Sequence, residues 1–259
     1  MSFLRLFVTG LALSPVRGLK LPHTHSQQQV LDVDGAIADT AATNAGEKIQ
    51  KLLKKAEIIP TVIDDFVPAL TLAAKWPSDE HAKLGNTLKP NKLQDAPSIS
   101  LHSPSDKSNN ECSTIDSQSK ASYVIALTDP DAPSRDDPKW SEMCHWIAVG
   151  RASASSNANT DDPDGNGCVL GFSDLDEVMP YKAPGPPEKT GKHRYVFFAF
   201  RAKNGTTDAL SPSKPEDRQH WGYGPPEDGQ KTHGVRDWAQ DNGLVPVAAN
   251  FIYSKNKKQ

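Results

Sequence analysis

The 259-residue chain is short of several features, and each shortage excludes a class of protein. Cysteine is scarce: Cys112, Cys144 and Cys168 cannot all pair with one another, and none stands in a C-x-x-C or Cys/His spacing. Neither a disulfide framework nor a zinc site is therefore indicated. No run of about 18 apolar residues occurs, so no helix is expected to span a membrane. An excess of one charge sign is missing as well. With 29 Lys and Arg against 32 Asp and Glu and a net charge of −3, there is no broad positive field to hold a nucleic acid or an acidic membrane surface. A long all-helical bundle is also not expected, because 17 Gly and 21 Pro are scattered through the chain without a period. That composition suits a turn-rich β or mixed domain with one sizeable core or two small ones.

Met1–Arg5 is short and basic, Leu6–Val16 is mostly apolar, and Val16-Arg17-Gly18 follows Pro15. This pattern predicts a signal peptide over 1–18 and a secreted protein, with a cytoplasmic chain bearing a helical arm as the alternative. The single N-x-[ST] sequon, Asn204-Gly205-Thr206, falls at an expected turn and would accept a glycan only in a secreted chain. Residues 19–45 are polar and read as a flexible arm. Then Ile49, Leu52, Leu53 and Ala56 recur at helical spacing, with Glu47, Lys48, Lys51, Lys54 and Lys55 opposite, which predicts an amphipathic helix over 46–57 ended by Pro60.

From Leu70 the period becomes two. Leu70, Leu72, Ala74 and Trp76 alternate with Thr71, Ala73 and Lys75, and further strands are expected at Ser98–Leu101, Tyr123–Thr128, His145–Val149, Val169–Phe172, Tyr195–Ala202 and Val247–Tyr253. His102–Lys120 and Arg151–Gly167 read as surface loops, Val235–Asn242 as a helix, and 255–259 as a solubilising basic tail. Many strands, few helices and no βα alternation give a mainly β domain over 46–254, a β-sandwich with peripheral helices.

Two segments concentrate chemistry. Thr128-Asp-Pro-Asp-Ala-Pro-Ser-Arg135 follows a strand, and Pro130 and Pro133 stiffen it, so Asp129 is held where a carboxylate can act; capping its own turn is the plainer role for Asp129 and Asp131. Ala183-Pro-Gly-Pro-Pro-Glu-Lys-Thr-Gly-Lys-His193-Arg-Tyr195 enters the most apolar strand of the chain. His193 and Tyr195 share one face of that strand and Arg194 takes the other. A switchable imidazole and a phenol donor beside a Gly/Pro loop suit a phosphate, sulfate or carboxylate. Asp129, being an acceptor when ionised, is expected to orient a histidine or take a proton from a ligand.

Those two segments, with His145 ten residues beyond Arg135, resemble the signature segments of the phosphatidylethanolamine-binding protein family. Thr87-Leu-Lys-Pro90, Ala96-Pro-Ser-Ile-Ser100, Arg236-Asp-Trp-Ala239 and Leu244–Phe251 are similar to the family in the same order, over roughly residues 60–254. The resemblance implies a Greek-key β-sandwich with a small cavity for phosphate-bearing groups, including phospholipid headgroups. It places Asp129, His145, His193 and Tyr195 in that cavity, with main chain from Gly185-Pro186 and an aromatic wall at Trp140. The chain departs from better-known members at Trp140, where Tyr is usual, at Cys144, where many have His, and at Lys189, which replaces a Gly. Fungal members that inhibit carboxypeptidase Y imply a second role, inhibition of a serine carboxypeptidase through protein contact, and the N-terminal helical extension bears on it. Two imidazoles and a carboxylate could also hold a metal, but without a Gly-x-Ser-x-Gly elbow no catalysis is expected, and the expectation is a monomer with no metal or cofactor.

Overall fold

The computed structural model describes residues 33–103, 120–155, 168–222 and 234–258, with side chains from Asn44 onward. The expected signal peptide over 1–18, most of the arm over 19–45 and much of both expected surface loops lie outside the described residues. The first helix, α1, runs Val33–Lys55, so it begins well before position 46. It stops at Lys55 because Glu57 takes a positive φ of 55°, ahead of Pro60. Its apolar stripe docks on the domain: Ile49, Leu53 and Ala56 are buried, and Ile58, Ile59, Val62 and Ile63 follow them into the same core. At about 1.5–3 kcal/mol for each large aliphatic side chain fully buried, this segment is integral to the fold.

The described residues form a mainly β structure. Nine strands are seen among them: β1 (Thr71–Lys75), β2 (Asn86–Leu88), β3 (Ser98–Ser103), β4 (Ser122–Asp129), β5 (Met143–Ser155), β6 (Cys168–Phe172), β7 (Asp176–Met179), β8 (Lys192–Ala202) and β9 (Leu244–Lys255). A second helix, α2 (Gly234–Asp241), precedes β9. Hydrogen bonding follows the order β1-β3-β6-β5-β4-β8-β9-β2, with β7 also on β5. The sheet is curled at β5, whose residues up to Arg151 pair with β4 and whose end from Ala152 pairs with β6. That strand extends to Ser155, into the stretch read as a loop.

The central strands are buried on both faces, which is why β4 and β8 read as continuous apolar runs. Their side chains sort by twos. Val124, Ala126, Val196, Phe198 and Phe200 face the core shared with α1 and α2. Tyr123, Ile125, Leu127, Tyr195, Phe197 and Ala199 face a second core against β1, β3 and Trp146. β2 and β7 have no signal in the sequence. They are three and four residues long, and acidic Asp176 and Glu177 disguise β7, which forms because β5 offers it a ladder.

Candidate functional site

β4 ends at Asp129 and β8 begins at Lys192, and because these strands are hydrogen-bonded neighbours the two chemical segments meet at one end of the sheet. Asp129 and His193 are both buried, and His193 Nδ1 lies 2.9 Å from Asp129 Oδ2. The other carboxylate oxygen accepts from the Asp131 N–H at 2.8 Å. Asp129 therefore caps its own turn and orients a histidine at once. His193 Nε2 is 3.0 Å from Thr190 Oγ1, whose hydroxyl also lies 2.9 Å from the Pro187 carbonyl. Both nitrogens of His193 are thus engaged by the protein.

His145 differs. It comes from β5, its ring is perpendicular to Tyr195 with centroids 5.1 Å apart, and Tyr195 stacks nearly parallel to His193 at 6.4 Å. His145 Nδ1 is 2.7 Å from the Lys182 carbonyl, and the Lys182 N–H returns a 2.7 Å bond to the His145 carbonyl. Nε2 is buried without a hydrogen-bond partner. Burial lowers the His145 pKa below the ordinary imidazole value, with Asp129 opposing the shift. Burial, with Asp129 adding to it, raises the Tyr195 pKa well above the ordinary phenol value, so this hydroxyl stays protonated beside Asp129 and the Gly185 main chain.

The remaining sequence-derived positions are less central. Trp140 is 37 % exposed; its main-chain N–H donates to the Ala132 carbonyl and the Lys139 ammonium sits 5.9 Å from its ring centroid. Pro186 is buried and its carbonyl accepts from Asn256 Nδ2 at 3.2 Å. Lys189 N donates to the Lys258 carbonyl and Lys258 Nζ reaches Glu188 at 2.8 Å, so the exposed tail touches the Gly/Pro loop through Lys258.

Three supporting residues were not legible as such. Arg194, buried on the face opposite His193, makes a paired contact to Asp131 at 2.9 and 2.5 Å and donates to the Ala56 and Glu57 carbonyls at the end of α1. A charge inside an apolar strand signals such a partner, because an unpaired buried guanidinium is too costly. Arg218 donates to the carbonyls of Cys144, His145 and Pro180 and so braces the entry to β5. Glu142 is buried, accepts from Thr128 Oγ1 at 2.9 Å and from the Val235 N–H at the start of α2, and burial pushes its pKa up to about 8. Cys144 is buried on the face away from His145, and its thiol is pushed up to about 12, so it is no nucleophile.

Among the described residues no group of His, Cys, Asp and Glu is placed to hold a metal. An open groove of about 510 Å³ between Trp76, Ile99, Phe172 and Leu175 contains none of the residues of the His145 cluster.

A sequence model of the phosphatidylethanolamine-binding protein family matches residues 78–252. The chain is similar to the carboxypeptidase Y inhibitor of Saccharomyces cerevisiae, 34 % identical over 213 residues that cover 79 % of this chain and 93 % of that protein. An uncharacterised protein of the same yeast is 34 % identical over 209 residues, 79 % of this chain and 92 % of the relative. The solved structure of carboxypeptidase Y inhibitor complexed with the cognate proteinase superposes with a TM-score of 0.65 at 30 % identity, covering 82 % of this chain and 97 % of that one. A phosphatidylethanolamine-binding protein from Plasmodium vivax shares the fold, with a TM-score of 0.53 at 18 % identity over 80 % of this chain and 97 % of its own.

Proposed function

This chain belongs to the phosphatidylethanolamine-binding protein family, and from that premise we propose that it is a monomeric, non-enzymatic binding protein whose cavity beside His145 takes phosphate-bearing groups such as a phospholipid headgroup. The observation that carries this reading is the buried His145 Nε2, which has no protein partner and lies next to the Tyr195 phenol. A buried polar atom without a partner costs stability unless a ligand or water satisfies it. His193, which stacks on Tyr195, is held in place by Asp129 and Thr190.

Titration calorimetry with inorganic phosphate tests the reading. His145→Ala is expected to weaken binding about tenfold or more, the usual worth of a hydrogen bond to a charged group. His193→Ala should weaken it too, by releasing Asp129. Because the His145 pKa is lowered, its ring is neutral at neutral pH and gains a proton only in acid. Affinity should therefore rise as the pH falls below the ordinary imidazole range. Phosphate binding that is indifferent to both substitutions and to pH would remove the anion site.

A second reading rests on a relative. A protein 34 % identical to this chain is a carboxypeptidase Y inhibitor, and a carboxypeptidase Y inhibitor with the same fold has been solved with its cognate proteinase. We propose as the alternative that this chain inhibits a serine carboxypeptidase by protein contact, using residues ahead of the docked part of α1. Full-length protein should then inhibit the peptidase, and protein lacking residues 1–32 should lose that inhibition while still binding phosphate. The cut spares Ile49, Leu53 and Ile58, which the core needs. No inhibition by the full-length chain ends this alternative.

A further inference from the structure

Asn204-Gly205-Thr206 is the one Asn-x-Ser/Thr triplet of the chain, and it begins two residues beyond the end of β8 at Ala202. The main chain fixes the turn there. The Gly205 N–H closes onto the Ala202 carbonyl at 3.1 Å, Gly205 takes a φ of 74°, and the Lys203 N–H donates to the Gly243 carbonyl at 2.8 Å. Glycine adopts that φ without strain. Asn204 is exposed, and nothing lies within 4 Å of where a side chain on Gly205 would begin, so the tip of the turn faces open space.

The side-chain bonds sort the two ends of the Asn204 amide. Oδ1 accepts from the Thr206 N–H at 3.0 Å, an Asx turn, while Nδ2 has no acceptor among the described residues. Asn86, Asn242, Asn250 and Asn256 differ: each gives its Nδ2 to an oxygen of the fold. A bulky group on any of those nitrogens would displace a bond that holds the structure, and on Asn204 it would displace none. The Thr206 hydroxyl is at the surface too, 3.1 Å from Asp208 Oδ2. Because β8 rises about 3.4 Å per residue, Asn204 stands roughly 35 Å along the strand from His193. A group attached there leaves the Asp129–His193 end of the sheet uncovered.

We propose that Asn204 carries an N-linked glycan, and with it that the chain enters the secretory pathway, as the basic and then apolar pattern over 1–18 predicts. The donor is an oligosaccharide on a polyprenyl diphosphate. A bond forms between Asn204 Nδ2 and C1 of the first sugar, the bond from C1 to the diphosphate oxygen breaks with its electron pair staying on that oxygen, and Nδ2 releases one proton. Nothing is oxidised or reduced. The inference is independent of what binds beside His145.

The test uses the full-length chain with its own N-terminus, expressed in a eukaryotic host and recovered from both cells and medium. Peptide N-glycosidase in heavy-oxygen water turns a glycan-bearing asparagine into labelled aspartate, which separates it from spontaneous deamidation of Asn204-Gly205. The protein should lose the mass of one glycan and gain the label at position 204. Asn204→Gln and Thr206→Ala should each abolish the glycan, and Thr206→Ser, which keeps the hydroxyl, should retain it. All three should unfold at an unchanged midpoint when the unglycosylated forms are compared, because these side chains point outward. Unmodified Asn204 in the recovered protein overturns the proposal, as does a glycan that survives Asn204→Gln. Replacing residues 1–18 with a strong secretion signal then locates the failure: a glycan that now appears puts it in the leader, and continued absence puts it in the triplet.

Discussion

Arg194→Ala is expected to cost about 3–5 kcal/mol of folding stability, the penalty for leaving one member of a buried ion pair alone. The Asp131 side chain is 1 % exposed and that of Arg194 7 %, and the guanidinium satisfies two carbonyls at the end of α1 as well as the carboxylate. Removing it strands a buried charge and loosens the attachment of α1 in one step. Urea unfolding measures the loss directly, and a fall in Tm of roughly 10 °C should accompany it in a domain of this size. The exposed Lys54–Asp65 pair, also a close contact at 2.7 Å, is the control: Lys54→Ala should leave unfolding almost unchanged, because solvent screens it. Asp131→Ala combined with Arg194→Ala should recover part of the loss. A single-variant loss below about 1 kcal/mol would mean that water reaches this pair and that it does not anchor the helix.

Glu142→Gln is expected to abolish a pH dependence that spans several kcal/mol. The Glu142 pKa is raised from 4.5 to about 8, chiefly by burial, with the Thr128 hydroxyl, the Val235 N–H and Arg236 only partly offsetting it. The unfolded chain ionises this group near 4.5, whereas the folded protein keeps it neutral to about 8. Stability from Glu142 is therefore fully present below pH 4.5 and is lost progressively as the pH rises to about 8. The whole change amounts to about 3–5 kcal/mol. Glutamine keeps a carbonyl to accept from Thr128 and Val235 but cannot ionise. Unfolding midpoints of the two proteins should then coincide in acid and diverge toward pH 8, with the variant the more stable. Parallel pH profiles would show that Glu142 ionises in the fold with little penalty. Thr128, which adjoins Asp129 in sequence, also accepts the Trp221 indole N–H on the hydroxyl that it donates to Glu142.

Much of this was legible from pattern. The strands β1, β3, β4, β6, β8 and β9 and the helix α2 each fall where periodicity and turn residues place them, because both signals are local. The segments around Asp129 and His193 stood out for the same reason: prolines, glycines and ionisable residues crowd into short stretches. The start of α1 escaped, since residues 33–45 carry no sustained apolar stripe, and β2 and β7 escaped because short strands exist only through the neighbours that pair with them.

The one-dimensional chain determined which chemical groups were available, and that His193 and Arg194 must point to opposite faces of a strand, because alternation is a property of the extended backbone. It could not determine which of those groups keep a free valence. Only the folded arrangement engaged both nitrogens of His193 and left one on His145, since that depends on where a carbonyl at Lys182 and a hydroxyl at Thr190 come to rest. The same holds for Glu142, whose neighbours in sequence give no sign that it is buried. Hydrogen-bond direction and desolvation act over a few ångströms in space, and in this protein those distances join residues dozens of positions apart.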